Sequence, residues 1–273
     1  MKKLFLLIFL AIHCVLYAQE KWAIIFFNET ANHEVSIYAD NEEYMPMSAK
    51  FKFKLENLTS SLANDEIVII PARSKHFLLA TIKPTKLNTA NKFEYSTTFN
   101  FGNVLQEKFD AEFIYSLPFE EGKTHLVFQG YNGKLSHKDQ FAVDFNLKSG
   151  SKVFAARGGI VVEVVNVHDK NCADISCAKY NNRILIMHED GTFGEYSHLQ
   201  HLGTLVEKGD MVEQNQEIGY SGNTGYSSGP HLHFAVFINR IDGKRTFIKT
   251  LFKTSESKGQ FLEEGKSYTK QLN

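Results

Sequence analysis

Two histidines one residue apart, His231 and His233, stand in the apolar run 229–234 near the C-terminus. Alternate side chains of a β-strand project from the same face, so a strand here would point both imidazoles the same way. Imidazoles serve as metal ligands and as proton carriers. With His233 on a metal ion, His231 would lie about 6–7 Å further along the strand, which suits a proton carrier or an oxyanion stabiliser.

Upstream, His137 and Asp144 are seven residues apart. Asp144 falls in an apolar predicted strand, 141–147, where a buried carboxylate must be paired or bind a metal. Asp139 is a competing acid in a more loop-like setting. His137, Asp144 and His233 together offer two nitrogens and one oxygen, a common zinc set that leaves a fourth position for water. We expect one Zn²⁺ per chain, with iron(II) as the alternative for this donor set.

A further histidine, His198, follows the predicted strand 192–197 and could complete the wall of the same pocket. Alone, it is equally well explained as a capping or surface histidine. The residues themselves leave its role open.

The elements that must position these side chains are strands. Residues 50–55 alternate strictly between charged and apolar types, and 93–101 repeat that pattern with aromatic residues. Such alternation predicts half-buried strands, and strands at this spacing without helices between them favour an all-β fold. We expect a β-sandwich-like domain over residues 19–122.

Beyond residue 122, glycine-rich turns separate a second set of predicted strands, which contains every candidate site residue. These strands are predicted at 141–147, 151–155, 159–167, 183–187, 192–197, 217–221 and 231–238. The sequence therefore predicts an antiparallel β domain over 123–252, followed by a polar C-terminal tail, 253–273.

The N-terminus predicts export. Lys2 and Lys3 precede an uncharged apolar core, and Ala18 is a small residue suited to cleavage. Residues 1–18 are interpreted as a signal peptide, with a permanent anchor as the alternative, so the mature protein is expected in the periplasm or outside the cell. The formal net charge of −1 over 273 residues gives no reason to expect nucleic acid or an anionic membrane as partner. No stable membrane span is expected after cleavage.

Cleavage would also remove Cys14 and leave only Cys172 and Cys177. An even cysteine count in an exported protein favours a disulfide. Two metal-binding thiolates are the alternative, but no second cysteine pair completes such a site.

The stretch 129–238 resembles the lysostaphin-type zinc metalloendopeptidases, which cleave peptide cross-links in bacterial peptidoglycan. The resemblance covers about two-fifths of the chain and follows an ordered set of motifs. They are Ser136-His137, Ala142-Val143-Asp144-Phe145, Ala155-Ala156-Arg157-Gly158-Gly159, His188-Glu189-Asp190-Gly191-Thr192, Tyr196-Ser197-His198-Leu199, Lys208-Gly209-Asp210, Ile218-Gly219-Tyr220-Ser221-Gly222-Asn223-Thr224-Gly225 and Gly229-Pro230-His231-Leu232-His233-Phe234.

The resemblance implies that His137, Asp144 and His233 are the zinc ligands. It implies that His198 and His231 are two non-ligand histidines that assist attack on the peptide bond. It also implies an antiparallel β-sheet with a substrate groove.

Three positions carry finer expectations from the same resemblance. Asn215 stands where the family usually has glycine, and asparagine tolerates the left-handed conformation, so the turn should survive. Tyr196 and the polar loop 223–228 are expected to line the groove.

The function that these features predict is an exported zinc endopeptidase acting on peptidoglycan stems or cross-links. One alternative is a catalytically silent activator of another cell-wall hydrolase, although every ligand position is filled here. Another is a peptidase of a non-wall peptide. A cupin metal site is disfavoured because no glutamate follows the His231–His233 pair closely.

Overall fold

Alternating apolar residues form strands throughout residues 22–272, the part of the chain that the computed structural model describes. The all-β prediction is confirmed, and the helical element in this part is one short 3-10 helix, Ile175–Tyr180. The predicted signal peptide, residues 1–18, lies outside the described residues. Between residues 22 and 272, no helix is long and apolar enough to cross a membrane.

The N-terminal strands form two antiparallel sheets, ordered β1-β2-β6-β4 and β5-β3-β7. Their inward side chains meet in one hydrophobic cluster, which includes Ile37 of β2, Phe51 of β3 and Ile82 of β6. The seven strands are β1 (Ile24–Ala31), β2 (Glu34–Asn41), β3 (Met47–Glu56), β4 (Leu58–Ser60), β5 (Ile67–Ile70), β6 (Ser74–Pro84) and β7 (Lys92–Phe101).

The remaining strands build a nine-stranded sheet and several smaller ones. They are β8 (Ile114–Ser116), β9 (Thr124–Gln129), β10 (Ala142–Phe145), β11 (Lys152–Phe154), β12 (Gly159–Val165), β13 (Asn171–Cys172), β14 (Arg183–Met187), β15 (Phe193–Ser197), β16 (Leu199–Thr204), β17 (Met211–Val212), β18 (Glu217–Ser221), β19 (Gly225–Tyr226), β20 (Leu232–Asn239), β21 (Arg245–Ile248), β22 (Leu251–Lys253) and β23 (Ser267–Thr269). The nine-stranded sheet runs β17-β12-β14-β15-β20-β10-β9-β23, with β21 also paired to β20. The smaller sheets are β11-β18-β16, β13-β19 and β22-β8.

Strand β20 shows why the large sheet is buried on both faces. Phe234 and Val236 project from one face into a cluster with Tyr196 of β15. Phe237 projects from the other face and packs with Phe193 in the cluster of the N-terminal sheets. His233 and Phe237 project from the same face of β20, because side chains alternate along a strand with period two. The N-terminal sheets therefore cover the same face as His233, four residues further along the strand.

Segments on either side of the predicted domain limits pack onto the large sheet. Tyr115, just before residue 122, belongs to the same hydrophobic cluster as Phe234 and Tyr196. Strand β8 pairs in parallel with β22, and β23 of the polar tail pairs with β9 at the sheet edge. The tail thus returns to the sheet, while the exact residues of the domain boundaries stay predictions.

The turn at Asn215 survives as expected. Asn215 adopts a φ of 72°, in the left-handed region that glycine or asparagine tolerates best. Its backbone N–H donates to the Ala155 carbonyl oxygen at 2.8 Å. The side-chain oxygen of Asn215 accepts a hydrogen bond from the Ser116 hydroxyl.

Candidate active site

Register across the large sheet sets four polar side chains in one row. Asp144 of β10 lies opposite His233 of β20 and opposite Gln129 of β9. Ser197 of β15 lies opposite His233 on its other side. Residues opposite each other in adjacent strands share a face, so the row is continuous. His137 joins it from the turn before β10.

His137, Asp144 and His233 converge closely enough to hold one metal ion, and their ligand atoms all lie within 4.8 Å of one another. Nε2 of His137 is 3.2 Å from Nδ1 of His233 and 3.3 Å from Oδ2 of Asp144. Nδ1 of His233 is 2.9 Å from Oδ1 of Asp144. The rival acid Asp139 is exposed and lies outside this cluster.

The hydrogen-bond partners of the cluster require a positive charge at its centre. Nδ1 of His137 lies 3.0 Å from the Gly130 carbonyl oxygen, so it must carry the ring hydrogen. The Nε2 lone pair of the neutral ring then faces an Asp144 oxygen that already accepts from Gln129 Nε2 at 2.8 Å. Two acceptors at that separation repel unless a proton or a metal cation lies between them. The donor set therefore fits a bound cation.

Electrostatics within the cluster favour the charged carboxylate. Burial raises the pKa of Asp144, but its interactions with His137 and His233 outweigh burial and hold that pKa far below its ordinary value. Burial lowers the pKa of His233, but the Asp144 carboxylate outweighs it and raises that pKa. Asp144 is 2% exposed, so its charge depends on these partners.

His231 stands beside the cluster just before β20. Its backbone forms an isolated bridge with Gly222, where any side chain would lie 2.5 Å from the Gln200 backbone nitrogen. Only glycine allows this approach. Nδ1 of His231 lies 2.8 Å from the Gly229 carbonyl oxygen and therefore carries the ring hydrogen. Nε2 bears the lone pair and lies 3.9 Å from Oδ1 of Asp144.

His198 reaches the same place from the turn after β15. Its φ of 64° is left-handed, which non-glycine residues adopt only when neighbouring contacts hold them. The backbone N–H donates to Oδ1 of Asn181 at 2.9 Å, and Nδ1 donates to the Thr224 carbonyl oxygen at 2.7 Å. The His198 and His231 ring centroids are 4.5 Å apart. His198 is thus a half-buried neighbour of His231.

The surroundings of both histidines lower the pKa of each ring. Burial, together with the charges of His231 and His233, lowers the pKa of His198 to about 3. Burial also lowers the pKa of His231. Because the ring hydrogen stays on Nδ1 in both rings, each keeps a lone pair on Nε2. Such a nitrogen can accept a proton from a bound water and pass it on.

The prediction that Tyr196 lines the groove is wrong. Tyr196 is fully buried, and its hydroxyl oxygen accepts a hydrogen bond from the Ala156 N–H at 2.7 Å. Tyr196 and Ser197 are consecutive in β15, so they point to opposite faces of the sheet. Tyr196 therefore packs in the core, although His198 lies only two residues further along the chain. The left-handed turn at His198 changes the direction of the chain after β15 ends.

Three polar residues hold the site through hydrogen bonds that sequence reasoning missed, although Ser227 lies in the loop 223–228 that was expected to line the groove. Gln129 donates to Asp144, Asn181 accepts from His198, and Ser227 Oγ lies 3.3 Å from His231 Nδ1. Gln129 could have been found, because it is a polar residue at the end of the apolar strand 124–129. Asn181 and Ser227 lie in turns, where polar residues are ordinary and carry no signal. The predicted Cys172–Cys177 disulfide is present.

Residues 138–246 match the family model for peptidase family M23. The chain carries a peptidase M23 domain. The matched range begins one residue after His137 and contains Asp144, His198, His231 and His233. The lysostaphin-type resemblance read from the motifs is therefore confirmed at the level of the family.

Several known proteins resemble the M23 domain and its surroundings. An uncharacterized metalloprotease of Buchnera aphidicola subsp. Baizongia pistaciae is 27% identical over 203 residues, 68% of this chain and 50% of that protein. The peptidoglycan DD-endopeptidase ShyA of Vibrio cholerae is 35% identical over 145 residues, 50% of this chain and 29% of that protein. The solved catalytic domain of the antimicrobial peptidase lysostaphin from Staphylococcus simulans is 28% identical, covers 51% of this chain and 87% of that chain, and has a TM-score of 0.32. The chain spans half or less of the length of these two curated relatives.

Proposed function

We propose that this protein is an exported zinc-dependent endopeptidase that hydrolyses peptide cross-links of bacterial peptidoglycan. The observation that carries the proposal is that His137, Asp144 and His233 converge beside the paired rings of His198 and His231. The M23 match and the similarity to ShyA, a peptidoglycan DD-endopeptidase by name, support the reaction class and the substrate.

The spacing of the ligand atoms supports zinc. Zinc bonds to nitrogen and oxygen are about 2.0–2.2 Å long, which places neighbouring ligands of a tetrahedron about 3.3–3.6 Å apart. The separations of 3.2 and 3.3 Å at His137 agree with that spacing, and the 2.9 Å between His233 and Asp144 is slightly shorter. His137 Nε2, His233 Nδ1 and a carboxylate oxygen of Asp144 would hold the ion. When bound, zinc would polarise a water molecule and the scissile carbonyl group.

Two residues of the chain, His198 and His231, can carry out the proton transfers. His198 and His231 each present Nε2 with its lone pair, so either can take a proton from the attacking water as general base. Once protonated, the same Nε2–H can donate to the developing oxyanion or to the leaving amine. The Nδ1–H bonds to Thr224 and Gly229 hold each ring in the tautomer that this work requires.

A silent activator of another hydrolase is the second candidate. It would need no complete ligand set and no proton-accepting histidines. Here the three ligands are buried or half-buried and mutually oriented, which favours the enzyme.

The test uses protein lacking residues 1–18, purified as wild type and as His233→Ala. Bound metal is identified by elemental analysis, and peptide release from purified peptidoglycan is followed by mass spectrometry. We expect about one zinc ion per chain and released cross-link fragments for the wild type, with both lost in the variant. His201→Ala, an exposed histidine of the same domain, is the matched control and should retain both.

Three other outcomes would contradict parts of the proposal. Iron in place of zinc would replace the metal assignment. Zinc without release from peptidoglycan, but with cleavage of a soluble peptide library, would move the substrate away from the wall. A wild-type protein that binds no metal yet stimulates a second hydrolase would establish the activator.

A further inference from the structure

The Cys172–Cys177 disulfide closes a segment that contacts His198 and the loop before His231. We define the disulfide segment as residues 170–182, which includes β13 and the 3-10 helix. Strand β13 pairs in parallel with β19, so this segment lies along the loop 223–229. Gly225 has a φ of 79°, and a side chain there would lie 2.8 Å from the Asn181 Cα atom. The segment and the loop are therefore in close backbone contact.

The segment reaches His198 through Asn181. Asn181 Oδ1 accepts the His198 backbone N–H at 2.9 Å, at the residue whose φ is left-handed. Asn181 Nδ2 donates to Ser197 Oγ at 3.0 Å, and Ser197 donates to the buried Glu195 carboxylate at 2.8 Å. Glu195 is in turn paired with Arg245. These polar side chains thus form a hydrogen-bonded series that ends at the backbone N–H of His198.

The same segment reaches His231 through Ser227. The Ser227 N–H donates to the carbonyl oxygen of the disulfide residue Cys172 at 3.1 Å, and the Asn171 side chain donates to the Ser227 carbonyl oxygen at 3.1 Å. Ser227 Oγ donates to the Gly229 carbonyl oxygen at 2.8 Å, which is the group that accepts Nδ1–H of His231. The His231 ring is therefore linked to Cys172 by a series of three hydrogen bonds.

The metal ligands have no comparable dependence. His137, Asp144 and His233 are oriented by β9, β10, β20 and the turn at Gly130, and within residues 22–272 their side chains form no hydrogen bond with residues 170–182. The disulfide segment contacts the part of the site that contains His198 and His231. The large sheet positions His137, Asp144 and His233.

We propose that the disulfide segment is a positioning element for His198 and His231, with Asn181 as its positioning residue. This inference rests on the proposed function for its kinetic consequence. It predicts that loosening the segment lowers the rate of the chemical step while metal binding stays intact. Misplacement of a catalytic group by about 1 Å costs on the order of 100-fold in rate.

The experiment compares Cys172→Ser/Cys177→Ser, Asn181→Ala and Asn181→Asp in the chain lacking residues 1–18. For the first two variants we expect kcat to fall by about 10- to 100-fold, with KM and zinc affinity near wild type. Asn181→Asp keeps an oxygen acceptor for the His198 N–H and should recover most of kcat. Asn166→Ala is the matched control, because it removes one hydrogen bond, to Thr204, in the same domain without touching either histidine.

A second measurement does not need activity. Two-bond ¹H–¹⁵N spectra of the imidazoles report which ring nitrogen carries the hydrogen. In the wild type, His198 and His231 should both show the Nδ1–H tautomer, and the double cysteine variant should show mixed tautomers for both rings. If peptidoglycan is not cleaved but these spectra change as expected, the positioning role stands and the proposed substrate fails.

Two results would overturn the positioning role. One is unchanged kcat and unchanged imidazole spectra in a folded double cysteine variant. The other is equal loss of kcat, zinc affinity and thermal stability in all segment variants, including Asn181→Asp, because that pattern means general unfolding of the domain.

Discussion

The two halves of the candidate site are built in different ways. His233 and Asp144 sit on paired central strands, where register alone sets one opposite the other. His198 and His231 sit just outside strands. The His198 backbone N–H donates to Asn181, and the two rings donate through Nδ1 to the carbonyl oxygens of Thr224 and Gly229. The metal half inherits the rigidity of a sheet buried on both faces. The histidine half depends on contacts between turns.

This difference teaches that metal binding and catalysis should respond separately to mutation. Strand register can change only in steps of whole residues, so Asp144 and His233 either lie opposite each other or do not. Turns held by a few hydrogen bonds can shift by fractions of an ångström, so the histidine half can be weakened gradually. Substitutions in each half can therefore test whether metal binding and catalysis respond separately.

The ligand half should fail completely when a ligand is removed. Asp144→Asn leaves an amide where the cluster needs a charge, so bound zinc should fall from about one ion per chain to nearly none. Activity should fall to the limit of detection, as measured by elemental analysis and peptide release. Asp139→Asn, the exposed acid nearby, should change neither quantity; a zinc loss there instead would move the ligand assignment.

The histidine half should fail without loss of metal. His231→Ala and His198→Ala each remove a proton-accepting Nε2, so kcat should fall by about 10²–10⁴-fold. Zinc content should stay at the wild-type level. Steady-state kinetics on a soluble cross-linked peptide, with metal analysis of the same samples, checks this. If either variant loses its zinc, the division of the site into two halves is wrong.

Gln129 gives an intermediate test within the ligand half. Its amide donates to Asp144 Oδ2 and accepts two backbone N–H groups of the turn that carries His137. Gln129→Ala should lower zinc affinity by about 10–100-fold, the usual cost of losing a partner of a metal ligand. Competition with a chromogenic chelator measures that affinity. Gln200→Ala, an exposed glutamine in the same domain, should leave it unchanged.

Asp190 lies outside both halves and should affect stability alone. Its carboxylate pairs with Arg157 at 2.8 Å and accepts the Asp110 N–H at 3.1 Å. Asp190→Asn should lower the free energy of unfolding by about 1–3 kcal/mol at pH 7, without change in zinc affinity. Chemical denaturation of the zinc-loaded protein measures it.

The pH dependence of that loss follows from the pKa of Asp190. Burial raises this pKa, but hydrogen bonds from Thr192, Asp110 and Arg157 outweigh it, so the folded-state pKa lies below the unfolded value of about 3.9. The carboxylate therefore contributes stability above that pH and loses it as the pH falls through the folded-state pKa. The gap between wild type and Asp190→Asn should stay constant from pH 7 to 5 and close in more acidic solution. A gap that widens in acid would contradict this sign.

The sequence predicted the strands better than the turns. Alternation placed β14 and β18 to the residue, because both are buried strands bounded by polar turns. His137 could be connected with Asp144 and His233 only through their residue types and the family resemblance. Its position in space depends on the hydrogen bond to Gly130, a local turn geometry that no periodicity reports.

Long-range contacts account for what could not be predicted. Asn181 and His198 are 17 residues apart, and their hydrogen bond exists only after β14 and β15 have paired. The groove prediction for Tyr196 failed because the neighbouring strands place its side chain in the hydrophobic cluster, and sequence alone does not report that packing. The left-handed turn at His198 is equally hidden from sequence. Such a turn is uncommon for histidine and is stabilised by partners elsewhere in the chain.

The shared hydrophobic cluster between the N-terminal sheets and the large sheet limits how this protein can be shortened. A fragment without residues 22–101 would present Leu185, Phe193 and Phe237 to water, on the face that also carries the metal residues. Such a fragment should aggregate through that face unless these positions become polar. The β-rich N-terminal part thus covers an apolar surface of the large sheet, and a soluble shortened version of the protein would need polar residues on that surface.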